Sequence, residues 1–355
     1  MGTTMKKRIY SLDFLKIIAT ICIICHHYQI YTKTKFNSGI NFWGGKFDFA
    51  YLVELFFVLS GYFMLTYIKV IIDGMSFKEF FLPKYFRFLV PQTLSVIAFA
   101  VLDVVYENLY MEQFFNRTVK IWGVIIASFG FSSGWGVPNP KMNGTIWYIS
   151  VLLICYIILF VLVFVSKKLD CSPWWLFVFM IFLAFWVSSN SIDILFLNSG
   201  TARGISSFFW GIILAKFMRG KEISNKAGIS FFICFLISLY VILVCKNTYA
   251  SDSRNYLYTF CLYPFLILFI QSKCINKLFK NKIWGILGNI SFEAYIWHFP
   301  IILATINLEK LIGAINYSNK INMFILVVIS YLVGTCCYYF IEKPSKKYLE
   351  KKIDI

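Results

Sequence analysis

Residues 12–31 read LDFLKIIATICIICHHYQIY. A run of about 20 mostly apolar residues is long enough to cross the hydrocarbon layer of a bilayer as a helix. Two residues in it, Lys16 and His27, are costly in lipid, and an ionisable group inside a membrane span marks a functional site by default. Eleven residues at 100° each return a helix to within about 20° of its start, so both project from one face, roughly 16 Å apart. The stretch therefore predicts a membrane helix with a cation near one surface and an acid–base group toward the other.

The pattern continues down the chain. Of 355 residues, 59% are hydrophobic and 14% are charged, where a soluble domain has about 25% charged. The expected fold is an all-α integral membrane bundle of about ten helices, over 10–31, 48–70, 85–106, 146–166, 174–191, 201–218, 228–245, 256–272, 284–305 and 321–341. The apolar stretch 121–131 is too short to span and reads as interfacial or re-entrant, ahead of the Gly/Pro-rich loop Gly134 to Gly144. The basic N-terminus leads into a full-length apolar run without a small-residue cleavage site, which predicts a retained helix and not a cleaved signal peptide.

The net charge of +17 has a membrane explanation before a nucleic-acid one. With ten spans, 22 of the Lys and Arg residues fall in loops and termini on one side and 10 on the other. By the positive-inside rule both termini are cytoplasmic, and an odd number of spans destroys the alternation. No nucleic-acid partner is expected. The domain reading is a transmembrane domain over 1–345 and a basic cytoplasmic tail over 346–355. Most of the ten cysteines lie in apolar runs, Cys22 and Cys25 included, and read as buried thiols.

Orientation gives each polar residue a depth. Lys16 lies in the cytoplasmic third of the first helix, three residues after Asp13, within reach of a same-face ion pair. His27 lies in the outer third, and His26 points about 100° away from it. Glu54 enters the second span from outside, and His298 lies far along the ninth. His27, Glu54 and His298 thus share one level, which predicts a common polar cavity. Glu293 falls nearer the middle. Lys84 and Arg87 stand on one face at the cytoplasmic mouth of the third span. They read as headgroup anchors or as a phosphate clamp, Arg offering a forked donor set and Lys a point charge.

These residues resemble the acyltransferase-3 family of integral membrane O-acyltransferases. The likeness rests on Arg8 and Lys16 running to His27, similar to the family's helix-1 pattern of Arg or Lys, ten residues, then His. It also rests on Val53 to Tyr62, where Glu54 stands at a position at which Asp is common, and on Lys84-x-x-Arg87 with Pro91, where Lys replaces the first Arg. Further likeness lies in Thr145-Ile-Trp147-Tyr148, in Ile290 to His298, and in Ile341-Glu342-Lys343-Pro344. The resemblance implies acyl-CoA, usually acetyl-CoA, as cytoplasmic donor, and a hydroxyl of an extracytoplasmic or lipid-linked glycan as acceptor. It implies no metal, and the chain is similar to the branch without an extra esterase-like domain.

On that footing His27 is expected as general base, with Glu54 or His298 orienting it or the acceptor; an acyl-His intermediate is the alternative. Lys16, Lys84 and Arg87 are expected along the donor path. A multi-pass transporter of a glycan precursor or small polar solute also fits a polar cavity, but no inverted repeat is visible. Lys outnumbers Arg 28 to 6, the bias of an AT-rich bacterial genome, so the expected location is a bacterial cell membrane.

Overall fold

Apolar runs with few interior breakers form helices because a backbone in hydrocarbon must satisfy its own hydrogen bonds. The computed structural model describes residues 8–115, 120–136, 142–244 and 255–352. Lys6, Lys7, Arg117, Lys141, Lys246, Arg254, part of the Gly134–Gly144 loop and the end of the basic tail lie outside these residues. The helices are α1 (Tyr10–Tyr31), α2 (Leu52–Ile72), α3 (Phe77–Tyr110), α4 (Ile121–Ser128), α5 (Ile146–Lys168), α6 (Pro173–Ser189), α7 (Ser199–Met218), α8 (Asn225–Val244), α9 (Asn255–Ile270), α10 (Lys273–Leu278), α11 (Ile283–Ile312), α12 (Lys320–Cys337) and α13 (Lys343–Lys352). No strand is present among the described residues.

A helix occupies each of the ten expected spans. Seven are long and apolar enough to cross a membrane: α1, α2, α3, α5, α8, α11 and α12. Helices α6 and α9 are apolar but shorter, and α7 carries Arg203 and several Ser and Gly residues. Two boundaries move outward. Helix α3 starts at Phe77 because Ser76 and Glu79 form a capping box, each side chain accepting from the other's backbone N–H. Helix α11 runs on to Ile312, where Gly313 caps it in the left-handed region.

The helix ends gather into two faces. At one, the Arg8 Nη2 donates to Gly285 O (2.6 Å) and the Ser11 hydroxyl to Asn276 Oδ1 (2.9 Å). At the other, Tyr28 OH donates to Tyr317 O and Tyr110 OH to Ile306 O. The N-termini of α1 and α11 share the first face, as the alternating charge requires. Helices α2 and α7 pack backbone to backbone: a Cβ on Gly61 would fall onto the Phe208 carbonyl, and one on Gly211 onto the Val58 carbonyl. Small residues allow such close approach where no hydrophobic drive separates helix from lipid. Outward-facing Phe179, Phe182 and Phe185 on α6 and Ile229, Ile233 and Ile237 on α8 are exposed, as lipid-facing side chains are.

The short helix α4 folds back along α3. Its last carbonyls sit against the basic half of α3, where Gln92 Nε2 donates to Ala127 O (2.5 Å), Thr93 Oγ1 to Ser128 O (3.1 Å) and Tyr85 OH to Phe129 O (3.3 Å). Side chains of α3 thus meet the last carbonyls of α4, of which Ala127 O also accepts from the Gly130 N–H. Gly130, at φ +81°, turns the chain back toward α5.

Candidate active site

Helix α1 carries His27 toward α11, and His298 meets it there. His27 Nδ1 lies 2.8 Å from His298 Nε2, with the rings nearly parallel at 8° and 5.0 Å between centroids. The contacts assign the protons. His298 Nδ1 is 2.6 Å from Tyr295 O, a carbonyl that can only accept, so Nδ1 carries the hydrogen. A neutral His298 then presents a bare Nε2, and the 2.8 Å contact requires His27 Nδ1 to be the donor. That leaves the lone pair of His27 Nε2 free to take a proton. No other hydrogen bond engages His27 among the described residues. His298 is fully buried and His27 partly exposed, so His27 is the one a reactant can reach.

A proline shapes this part of α11. Pro300 has no N–H, which orphans the carbonyl four residues back, on Ile296. Two buried side chains reach that carbonyl from other elements: Asn143 Nδ2 at 2.9 Å and Ser95 Oγ at 3.1 Å. Asn143 Oδ1 accepts from Thr145 Oγ1 and N (2.7 and 3.2 Å), so the amide is used at both ends. The turn that carries Tyr295, Ile296 and His298 is thereby tied to α3 and to the start of α5.

Glu54 takes a different partner. It is fully buried, and Arg203 Nε donates to its Oε1 at 2.5 Å. The Arg203 guanidinium lies 5.0 Å from the Trp147 ring and 5.4 Å from that of Tyr51. No hydrogen bond or ion pair joins Glu54 to either histidine among the described residues. The shared level of three ionisable groups thus resolves into a histidine pair and a separate ion pair. Charge balance explains the division, because a buried carboxylate is far better matched by a guanidinium than by a neutral imidazole.

At the basic face Asp13, itself buried, accepts from Arg8 Nε (2.5 Å) and Lys16 Nζ (3.2 Å). Lys16 also lies 4.6 Å from the Phe63 ring centroid. Lys84 and Arg87 diverge. Lys84 Nζ donates to Phe80 O (2.7 Å) and stands over the rings of Tyr67 and Phe80 at 3.7 and 3.9 Å. Arg87 Nε instead donates to Glu342 Oε1 (2.8 Å), and buried Glu293 lies near enough to act on both electrostatically. Glu342 ends a π turn, Tyr338–Glu342, two residues before Pro344. The sequence reading gave no role to Arg203 or Asn143 and named Glu342 only within its Pro344 motif. The signals were an Arg inside a span, a Glu two residues before a Pro, and Pro300 itself.

Two hollows join these groups. The inner one, about 270 Å³, is lined by Lys16, Thr20, Arg87, Asn289, Phe56, Tyr148 and Tyr295 among others; Lys84 is not in its wall. The second, about 600 Å³, shares Lys16, Phe63 and Asn289 with it and adds Arg8 and Arg219. On each helix the lining residues furthest from the basic face are Thr20, Phe56, Tyr148 and Tyr295. The rings of Phe56, Tyr148 and Tyr295 lie 5.6 to 5.9 Å apart, mutually edge-on, and close the end of the inner hollow. Tyr295 in turn lies 5.8 Å from the His298 ring. No group of three or more His, Cys, Asp or Glu side chains placed to hold a metal ion occurs among the described residues.

Comparison with known proteins adds to this geometry. A family model described as an acyltransferase domain, the acyltransferase-3 model, matches residues 9–341. The peptidoglycan O-acetyltransferase OatA of Listeria monocytogenes is 24% identical, over 96% of this chain and 56% of its own length. A Staphylococcus aureus protein provisionally named as an O-acetyltransferase is 25% identical, over 97% of this chain and 59% of its own. The chain thus spans little more than half the length of these curated relatives. No solved structure matches.

Proposed function

The chain belongs to the acyltransferase-3 family, and from that premise we propose that it is a membrane O-acetyltransferase. It moves an acetyl group from acetyl-CoA on the basic, cytoplasmic face to a glycan hydroxyl presented at the other. The observation that carries the proposal is the proton order of the histidine pair, which leaves His27 Nε2 a free acceptor just beyond a hollow that opens toward the basic face. The family membership and the printed name of the Listeria relative support a glycan acceptor, peptidoglycan being the first to test.

In the proposed chemistry His27 Nε2 takes the proton of the acceptor hydroxyl as its oxygen attacks the thioester carbonyl. The new C–O bond forms and the C–S bond breaks. The thiolate of CoA leaves and recovers the proton that His27 held. His298 holds His27 in the required tautomer through the Nδ1–H bond. Arg87 and Lys16 line the donor side, and the Glu54–Arg203 pair stands at the acceptor end of α2. The cell membrane of a bacterium is the proposed location.

The test is acetyl transfer from labelled acetyl-CoA to peptidoglycan fragments in membranes. His27→Ala should cost about 100-fold or more in turnover, the usual share of a positioned base. Near-normal turnover by a variant that inserts and folds normally refutes the assignment.

A further inference from the structure

A third hollow, about 750 Å³, opens at the basic face and shares Arg8, Ile9 and Met218 with the second. Three hollows with common walls therefore lie in series from that face to the ring of Tyr295. The outermost is lined by Arg8, Lys221, Lys273, Lys277 and Lys280 against one acid, Glu222. The positive-inside rule accounts for lysines in these loops but not for their gathering, from two loops and beside Arg8 of a third segment, around one concavity. We infer that this outer hollow binds the phosphate-bearing nucleotide end of the acyl donor, an inference that rests on the donor being acyl-CoA.

The physical case is one of charge. Phosphates are expensive to bring out of water among cations that already hold counter-charges, whereas an uncharged arm that ends in a thioester is not. The charged end therefore stays at the mouth, where four lysines answer it beside Arg8, itself paired with Asp13. Of the cations deeper in, Arg87 is engaged by Glu342 and Lys16 by Asp13, while Lys84 lies outside the passage against two rings. Among the described residues the Lys273 side chain has only an exposed contact with Glu222 at 3.4 Å, which a phosphate can displace at little cost. Tyr10 and Phe279 offer ring surface in the same wall, on which a base can stack.

The experiment is displacement of labelled acetyl-CoA from the full chain in phosphatidylcholine nanodiscs. For the native chain, acetyl-CoA should bind more tightly than its 3′-dephospho form, and that more tightly than S-acetyl-pantetheine. Lys277→Gln combined with Lys280→Gln should weaken acetyl-CoA about tenfold and leave S-acetyl-pantetheine within about twofold, two exposed charge pairs being removed. An equal effect on both donors, or none on either, overturns the inference. Phosphatidylglycerol nanodiscs form the second arm: if that lipid displaces acetyl-CoA in the native chain but not in the lysine variant, the hollow is a lipid headgroup site and the donor assignment falls. A native chain that binds no acetyl-CoA at all refutes the acyl-CoA reading itself, a result distinct from binding that ignores the lysines.

Discussion

Replacing His298 tests the histidine pair most directly. The His298→Phe variant keeps a flat ring of similar size in the buried site but removes the acceptor 2.8 Å from His27 Nδ1 and the donor 2.6 Å from Tyr295 O. Two consequences follow. His27 loses the bond that fixes its tautomer, so its proton can move to Nε2, the atom that must be bare. The Tyr295 carbonyl also loses a partner. A buried hydrogen bond lost with one partner left behind costs about 1–3 kcal/mol. If that loss falls on the transition state, turnover drops by about 5- to 150-fold, since 1.36 kcal/mol is tenfold in rate. His298→Gln separates orientation from bulk, because its amide can accept from His27 and donate toward the backbone at once. It should recover part of the loss. The assay is acetyl transfer in membranes at saturating acetyl-CoA, with melting of the purified variant as a control for folding. Full activity in a folded His298→Phe variant shows that His27 needs no partner to set its proton, and the tautomer argument fails.

Two further outcomes follow from the other pairs. Arg203→Met leaves the buried carboxylate of Glu54 without its counter-charge and should destabilise the bundle by about 3–5 kcal/mol, the usual penalty for half of a buried ion pair; Glu54→Leu in the same chain should recover much of it. A double-mutant cycle read by thermal melting checks this, and additive losses contradict it. Arg87→Met should raise the Michaelis constant for acetyl-CoA while Lys84→Met leaves it within about twofold, because only Arg87 lines the passage and Lys84 is spent on the Tyr67 and Phe80 rings. Steady-state kinetics with varied donor distinguishes the two, and equal rises reinstate the clamp.

The helices were legible in the sequence because length and apolarity alone decide what can cross hydrocarbon. The loop charges added the pairing of ends. Depth along a helix was legible too, and it brought His27 and His298 to one level from positions 271 residues apart. Azimuth was not. Glu54 lies on its helix at a fitting height, but which neighbour its carboxylate faces depends on how α2 packs on α7, and that depends on Gly61 and Gly211 approaching opposite carbonyls. The divergence of Lys84 from Arg87 was hidden for a similar reason. Both project from one face of α3, yet a flexible lysine stem can fold back onto the rings of Tyr67 and Phe80. The tie at Ile296 was half visible: Pro300 announces an orphan carbonyl, but nothing local says that Asn143 and Ser95 will meet it.

The three rings that close the inner hollow have an electrical consequence. Hollows reach from the basic face to Phe56, Tyr148 and Tyr295; filled with water, they would concentrate the membrane voltage across the rings and the side chains beyond them. In the proposed transfer the hydroxyl proton and the electron pair that ends on the thiol sulfur travel the same way, so no net charge crosses those rings. The transfer should therefore be indifferent to the membrane potential, and collapsing the voltage should leave its rate unchanged.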